Sequence, residues 1–377
     1  MSGAPMATIT ERFRDLEDPG IDRTKRHKLL DIVVIAICAV ICDADGWEDM
    51  QRFGQAKRQW LKGFLELPNG IPSHDTFGRV FARLDPEQFE ACFRSWIQAV
   101  MEVTQGQVLA VDGKELRRSH DHTVGKGAIC MVSVWAEANR LVLGQRAVAE
   151  GSNEISAVPT LLSWLDIHGC IVTTDALHCQ KENARRVVEQ KGDYVLAVKE
   201  NQPQLCADLV SLFAEAERVE YRHVEHDYWQ TTDKGHGRLE VRRCWVIGEA
   251  DYLEYLGDLR WPGLRTIAKV VCERRLGQRC TVKTRCFICS LVCDARKILR
   301  AVRRYWSIEN SLHWVLDVSF HEDESRVRKD HSAENLSVLR HIALSLLSQD
   351  KTAQGSIKAK RKMAGWDENY LRQILMN

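Results

Sequence analysis

Two short apolar runs, each closed by an aspartate, constrain the fold of this chain more than any other feature. Val108–Val111 precedes Asp112, and Ile171–Thr174 precedes Asp175. Runs of four apolar or β-branched residues bounded by polar ones predict buried strands. Each Asp is therefore expected at the end of a strand in a sheet, a position where an Asp is also common as a plain turn former.

A third carboxylate, Glu309, lies in a long stretch with helical periodicity. Two strand-borne aspartates and one helix-borne glutamate can hold two Mg²⁺ ions about 3.5–4 Å apart, the arrangement that supports in-line phosphoryl displacement. Hard oxygen ligands suit Mg²⁺, which keeps several waters and leaves room for a substrate phosphate. Asp112, Asp175 and Glu309 are thus candidate catalytic residues and candidate ligands of two Mg²⁺ ions, for which Mn²⁺ is expected to substitute.

Six ordered blocks of sequence surround these acids: Ala110–Lys114, Ser152–Ile155, Thr173–Ala176 with Cys179 and Gln180, Val198–Gln202, His236–Glu240 and Tyr305–Val318. With these blocks the chain, from about residue 9 to about residue 371, resembles the DDE transposases of bacterial insertion sequences, in particular the H-repeat-associated type found beside Rhs elements. The resemblance implies an RNase H-like fold. It also implies that Asp112, Asp175 and Glu309 match the catalytic acids of that family.

Three positions depart from the family pattern. Gly151 stands where a Lys usually precedes Ser152, Cys130 where a His is common, and Tyr305 where a His usually precedes Trp306. None of these changes removes a metal-binding acid. Each replaces a basic or hydrogen-bonding side chain near the expected site.

The residue patterns divide the chain into three predicted parts. Residues 1–106 have helical spacing and are expected to form an N-terminal helical, DNA-binding domain, while residues 346–377 form a basic C-terminal tail. Residues 107–345 alternate strands and helices, which predicts an α/β fold: an RNase H-like mixed sheet with flanking helices and a β-rich insertion at about 218–285. The predicted strands are 108–112, 131–137, 140–149, 170–175 and 193–199, and the predicted helices are 155–165, 179–190 and 202–216.

Helical spacing puts Glu309, His313 and Asp317 on one face of the last catalytic element. Trp306 and Trp314 are large enough to lock that helix in place. His313 is expected to be a packed or hydrogen-bonded core histidine and not a metal ligand.

Several basic side chains near the acids are candidate DNA contacts. A basic helical surface precedes Glu309, where a DNA-backbone role competes with that of a plain solvated face. Lys199 opens a helix after a strand, where backbone donors can face an anion, and Arg238 follows a segment that could equally be a plain turn. The candidates are Lys114, Lys199, Arg238, Arg296, Arg300, Arg303 and Arg304.

Composition narrows the class of protein further. A formal net charge of +1 over 377 residues does not fit a uniformly basic DNA coat, so DNA contacts must come from local basic faces. The 13 scattered cysteines, with no leader-like start, predict reduced thiols and a cytoplasmic protein that joins the nucleoid when bound to DNA.

The longest apolar run, Ile32–Cys42, is shorter than the roughly 20 residues of a membrane span. Cys286, Cys289 and Cys293 are too loosely spaced to predict zinc.

Together these features predict a DNA transposase that hydrolyses a phosphodiester at the end of its element and joins the freed 3′-hydroxyl to target DNA. Its expected partners are double-stranded DNA, as terminal inverted repeats and as target, and a second copy of the chain in the reacting complex. A catalytically inactive DNA-binding remnant and a free-standing metal-dependent nuclease are the two alternatives. Metal-dependent nicking would exclude the remnant, and strand joining would exclude the nuclease.

Overall fold

A computed structural model of the chain describes residues 10–100, 106–120, 125, 127–148, 154–235, 237–248, 250–257 and 261–376. Within these residues the fold is mixed α/β, with nine strands in one sheet. The strands are β1 Val108–Leu116, β2 Ile129–Ala136, β3 Leu141–Ala147, β4 Ile171–Thr174, β5 Asp193–Val198, β6 His226–Gly235, β7 Arg238–Ile247, β8 Thr266–Leu276 and β9 Arg279–Cys289.

The strand order in the sheet is β3-β2-β1-β4-β5-β9-β8-β7-β6. β1, β4 and β5 run parallel, whereas β2 with β3 and β5 with β9 are antiparallel pairs. The first five predicted strands are confirmed to within two residues at each end, except that β1 continues to Leu116. The apolar runs Val108–Val111 and Ile171–Thr174 are buried, which is why these two segments form the centre of the sheet.

The helices that the sequence predicted between the strands are confirmed to within two residues. No described helix is long and apolar enough to cross a lipid bilayer. The helices are α1 Leu29–Ile41, α2 Trp47–Ala56, α3 Arg58–Leu61, α4 His74–Arg83, α5 Pro86–Val100, α6 Glu154–Ser163, α7 Lys181–Glu189, α8 Pro203–Arg218, α9 Ala250–Gly257, α10 Ala295–Ile308, α11 Trp314–Phe320, α12 Ser332–Gln349, α13 Ile357–Trp366 and α14 Glu368–Leu375, with short 3₁₀ turns at Asp22–Thr24 and Glu322–Glu324.

The segment predicted as a β-rich insertion contains strands, and these strands extend the sheet. β6, β7, β8 and β9 pair in order as antiparallel neighbours. The last of them pairs with β5, in a register that places Val195 opposite Cys289 and Val198 opposite Cys286. The strands of the insertion therefore form a ribbon that continues the hydrogen-bonded ladder of the core.

The chain divides into two compact units. In the first, α1 is buried along almost its whole length, and the Asn335 amide of α12 donates to the carbonyls of Phe81 and Leu84 at 2.9 Å each. Lys360 and Arg361, from the segment predicted as a basic tail, are 7% and 0% exposed. The helices near the N-terminus thus share a core with the helices near the C-terminus. This unit comprises residues 1–102, 113–152 and 309–377.

The second unit comprises residues 103–112 and 153–308. Its core lies between the sheet and α10. Apolar side chains of β1, β4, β5 and the ribbon meet the buried face of that helix, which carries Ile298, Leu299 and Val302. The sheet and α10 therefore bury one continuous apolar layer, to which β1 contributes Val108 and β4 contributes Ile171.

Candidate metal centre

Asp112 and Asp175 occupy matching positions on two adjacent parallel strands. In the register of β1 and β4, Val111 lies opposite Thr174, and each Asp is the next residue along the chain. Neighbouring strands lie about 4.8 Å apart, so the two carboxylates leave the sheet side by side. Both side chains are half-buried. Asp175 directly follows β4 as predicted, whereas Asp112 lies inside β1, which continues to Leu116, so its predicted position at the end of a strand is wrong.

The turn after β4 holds Asp175. Its Oδ1 accepts a hydrogen bond from the backbone N–H of His178 at 3.2 Å, and Nε2 of the buried His178 lies 3.6 Å from Oε2 of Glu154. Burial lowers the pKa of His178, although the negative charges of Asp175 and Glu154 oppose that shift. The ring is therefore neutral near pH 7, and it leaves the charge of both carboxylates available to a cation.

A π-helical turn shapes the segment that carries Glu309. α10 ends at Ile308, Glu309–His313 form the π turn, and α11 begins at Trp314. Such turns carry i to i+5 hydrogen bonds and are frequent at functional sites. Nδ1 of His313 lies 3.0 Å from Oε2 of Glu309. Because His313 is buried and Glu309 is exposed, the imidazole supports the carboxylate from its protein side.

Asp112, Glu309 and His313 form a group that could hold a metal ion. Each offers one ligand atom, and the three atoms lie within 4.8 Å of one another. Among the residues that the structure describes, no other set of three His, Cys, Asp or Glu side chains meets this condition. Asp175 lies outside the group, whereas His313, expected as a core histidine, is both buried and a member of it. Two carboxylates and one imidazole are ordinary donors for a divalent cation.

Lys114 directs its charge toward the protein. Its ammonium lies within 3.1 Å of carboxylates on Asp317, Glu322 and Asp323. Burial alone would lower the pKa of Lys114, but the carboxylates of Glu322 and Asp317 outweigh that effect and the pKa is raised. A DNA contact by Lys114 remains a prediction, and its charge already has three partners in the folded chain.

The basic surface of α10 is mostly exposed. Arg303 forms an ion pair with Asp233 at 3.1 Å, and the guanidinium of Arg296 lies 5.3 Å from the ring centre of Trp229. The face therefore contacts the ribbon and keeps much of its charge open to solvent. Arg296, Arg300 and Arg303 are exposed, and Arg304 is half-buried.

Two further candidate DNA contacts lie in other elements. Lys199 is exposed directly after β5. Arg238 begins β7 and forms an ion pair with Glu240 at 2.9 Å. His236, which the sequence grouped with Arg238, lies outside the described residues. DNA binding by these side chains remains a prediction.

The predicted locking role of two tryptophans is wrong. Trp306 is 43% exposed and Trp314 is 59% exposed. The helices are anchored instead by smaller apolar side chains, such as Val302 in α10 and Leu316 in α11. Trp306 contacts Arg285, whose guanidinium lies 4.9 Å from the ring centre. The large apolar surface of both tryptophans is thus left at the protein surface.

Sequence reasoning missed one histidine of this site, His178. It follows Asp175 by three residues, the spacing at which an Asp side chain accepts from a nearby backbone N–H, and that spacing was the signal that could have found it. His313 was expected as a packed or hydrogen-bonded histidine on the face of Glu309, and the structure confirms that it is buried with Nδ1 beside the Glu309 carboxylate. Only the fold shows that His178 is buried beside Asp175 and Glu154.

Two family matches agree with this architecture. Residues 104–346 match the family described as "Transposase DDE domain". Residues 10–97 match the family described as "DDE_Tnp_1-associated". The first match alone covers well over half of the sequence, and the chain belongs to the DDE transposase family.

Similar proteins extend over nearly the whole chain. The protein named "H repeat-associated putative transposase YhhI" of Escherichia coli K12 is 39% identical over 355 residues, which are 93% of this chain and 92% of that protein. A protein from the dhlA 3′ region of Xanthobacter autotrophicus is 45% identical over 273 residues, 72% of this chain and 90% of its own length. The E. coli K12 protein named "Inactive transposase YbfQ" is 49% identical over 57 residues, 15% of this chain and 68% of its own length. The chain is similar to a transposase of the H-repeat-associated type.

Proposed function

We propose that this chain cuts and joins phosphodiester bonds at the ends of an insertion sequence by two-metal catalysis. The observation that carries the proposal is the approach of Asp112, Glu309 and His313, whose ligand atoms lie within 4.8 Å of one another although Asp112 is distant in sequence from the other two. Membership of the DDE transposase family agrees with that chemistry. DNA is then the substrate, as terminal inverted repeats and as target duplex.

The catalytic core is proposed to be RNase H-like. Support comes from the strand order β3-β2-β1-β4-β5, in which an antiparallel pair is followed by three parallel strands. The acids occupy positions that this arrangement favours, because Asp112 and Asp175 follow β-strand residues that pair directly. The helix with Glu309 comes only after the ribbon, so the insertion would separate the second acid from the third.

The donor set fits divalent cations, and Asp112 and Glu309 would hold one of them. Asp175, which follows the strand beside that of Asp112, would hold the second. Bound Mg²⁺ or Mn²⁺ would supply Lewis acidity and lower the pKa of water near the scissile phosphate. His313 would orient Glu309 through its Nδ1 contact, and His178 would orient Asp175 through its backbone N–H.

The remaining roles concern DNA. Exposed arginines on α10 would contact phosphates, which position a duplex without choosing its sequence. Two element ends must be processed together, so the reacting species is proposed to be a homodimer on nucleoid DNA in the cytoplasm. Neither role requires a covalent intermediate with the protein.

Substitution of each acid tests the proposal. Asp112→Ala, Asp175→Ala or Glu309→Ala should abolish Mg²⁺-dependent nicking of terminal-repeat DNA, while the melting temperature and DNA affinity change little, because these accessible acids do not support the core. Glu189→Ala, which removes an exposed acid at the end of α7, is the matched control. Full activity in any of the three variants would remove that residue from the site.

The product of the reaction separates the alternatives. Nicking followed by joining of the 3′-hydroxyl to a second duplex would identify a transposase. Nicking without joining would favour a free-standing nuclease. DNA binding without metal-dependent nicking would favour an inactive remnant, a state that the name of one short relative assigns to that relative.

A further inference from the structure

A buried cluster of ion pairs surrounds Lys114. Its Nζ lies 2.7 Å from Oδ1 of Asp317, 3.1 Å from Oε2 of Glu322 and 3.1 Å from Oδ1 of Asp323. The Lys114 side chain is 11% exposed and that of Glu322 is 1% exposed. Since a lysine ammonium has three N–H donors, this number of carboxylates can use all of them.

Two arginines complete the cluster. Nε of Arg117 lies 3.2 Å from Asp323, and Nη1 of the buried Arg340 lies 3.7 Å from Glu322. Three cations, including Lys114, therefore balance three carboxylates. Such a balance matters in a buried setting, because loss of one partner leaves a charge without compensation.

The position of Lys114 relates this cluster to the acids. Lys114 follows Asp112 by two residues in β1, and side chains at i and i+2 of a strand point to the same face. On the other side, Asp317 follows His313 by four residues, one turn into α11. The contact between Lys114 and Asp317 therefore connects β1, two residues after Asp112, to α11, one turn after His313.

We propose that Lys114 is a positioning residue for the acidic site. By fixing β1 just beyond Asp112 to α11 just beyond the π turn, the pair with Asp317 holds the turn that presents Glu309 and His313. Lys114 acts through Asp317 and touches neither metal nor DNA. The inference rests on the proposed metal-dependent function, and it assigns to Lys114 a role other than a phosphate contact.

Phosphate binding is the rival role, and geometry disfavours it. A phosphate would have to compete with three carboxylates, one of them fully buried, for an ammonium that is itself largely inaccessible. On α10, by contrast, Arg296, Arg300 and Arg303 are exposed, and the Asp233 partner of Arg303 is itself half exposed. DNA contacts are therefore better supplied from that helix.

Metal binding measured without DNA tests the inference. Lys114→Met removes the charge and keeps the length of the side chain, and Lys351→Met makes the same change at an exposed lysine of the same unit. Titration of each protein with Mn²⁺, followed by calorimetry or electron paramagnetic resonance, should give a 10- to 100-fold weaker affinity for Lys114→Met, the usual effect of losing a residue that orients metal ligands. Lys351→Met should bind Mn²⁺ as the unsubstituted chain does.

A second variant keeps the test decisive if Lys114→Met fails to fold. Asp317→Asn removes the other half of the same contact at a residue that is 32% exposed, and it should weaken Mn²⁺ binding in the same direction. The double variant should bind Mn²⁺ no more weakly than Lys114→Met alone, because Lys114→Met already removes the contact that Asp317→Asn breaks.

Opposite results would overturn the inference. Unchanged Mn²⁺ affinity in Lys114→Met and Asp317→Asn would refute positioning. A salt slope of DNA binding reduced by about 0.9 in Lys114→Met would identify a phosphate contact instead. Absence of nicking by the unsubstituted chain would refute the proposed function alone, since the Mn²⁺ titration decides the role of Lys114 without it.

Discussion

The buried carboxyl of Glu90 makes the stability of the protein depend on pH. Glu90 lies in α5, is 5% exposed, and its Oε1 accepts a hydrogen bond from the backbone N–H of Gln145 in β3 at 2.9 Å. Burial raises the pKa of Glu90 to about 8, although the Gln145 hydrogen bond and the charge of Arg94 oppose the shift. The carboxyl is therefore protonated in the folded chain at neutral pH.

The sign of the effect follows from linkage. In the unfolded chain Glu90 loses its proton near pH 4.5, so between about 4.5 and 8 the folded state binds the extra proton. Stability is complete below that window and falls as pH rises through it. At about 1.4 kcal/mol per pH unit, the loss at pH 9 is on the order of 3–5 kcal/mol.

Glu90→Gln removes the titration and keeps an oxygen that can accept from Gln145. Chemical denaturation of both proteins at pH 5, 7 and 9 should give similar stabilities at pH 5 and a growing advantage of the variant at higher pH. The difference between the two proteins isolates Glu90 from other titrating groups. A difference independent of pH, or a variant that is less stable at pH 9, would refute the reasoning.

Two further perturbations test other parts of the structure. Replacing Arg296, Arg300 and Arg303 together by Gln should weaken specific and nonspecific DNA binding by a similar factor and flatten the salt dependence by about 0.9 per lost phosphate contact; an unchanged slope would mean a solvated face. Arg361→Met should lower the free energy of unfolding by about 3–5 kcal/mol, because Nη2 of Arg361 donates to the Val40 carbonyl at 2.8 Å. Lys362→Met is the control for denaturation, and equal stability of both variants would contradict the second expectation.

The strands that carry the first two acids were predictable because their signal is local. Val108–Val111 and Ile171–Thr174 are buried on both sides of the sheet, so the sequence itself is uniformly apolar there. The same locality placed Asp175 correctly after β4, but it did not show that β1 continues past Asp112 to Leu116. A local signal also indicated the strands of the ribbon, because their sequences have a higher β-propensity than the surrounding helical segments.

The rest of the site depends on contacts between distant segments. Lys114 contacts Asp323, which lies 209 residues later in the chain. No periodicity in the sequence predicts that contact. The burial of Arg361 was equally hidden, since a Lys- and Arg-rich segment ordinarily indicates a solvated surface. The π turn at Glu309–His313 escaped prediction because its residues keep ordinary helical spacing in the sequence.

The ribbon has a mechanical consequence. β9 pairs with β5 only through Cys286–Cys289, so its seven residues Arg279–Arg285 continue past the end of that pairing, a distance of about 24 Å at 3.4 Å per residue. Along this overhang β8 remains hydrogen-bonded to β9 up to Leu276 opposite Arg279. The overhang is supported at its base by β5 and along its side by α10, because Trp306 lies against Arg285. A force on the overhang would therefore reach α10, which directly precedes Glu309, and β5, whose other neighbour is β4, the strand that Asp175 follows.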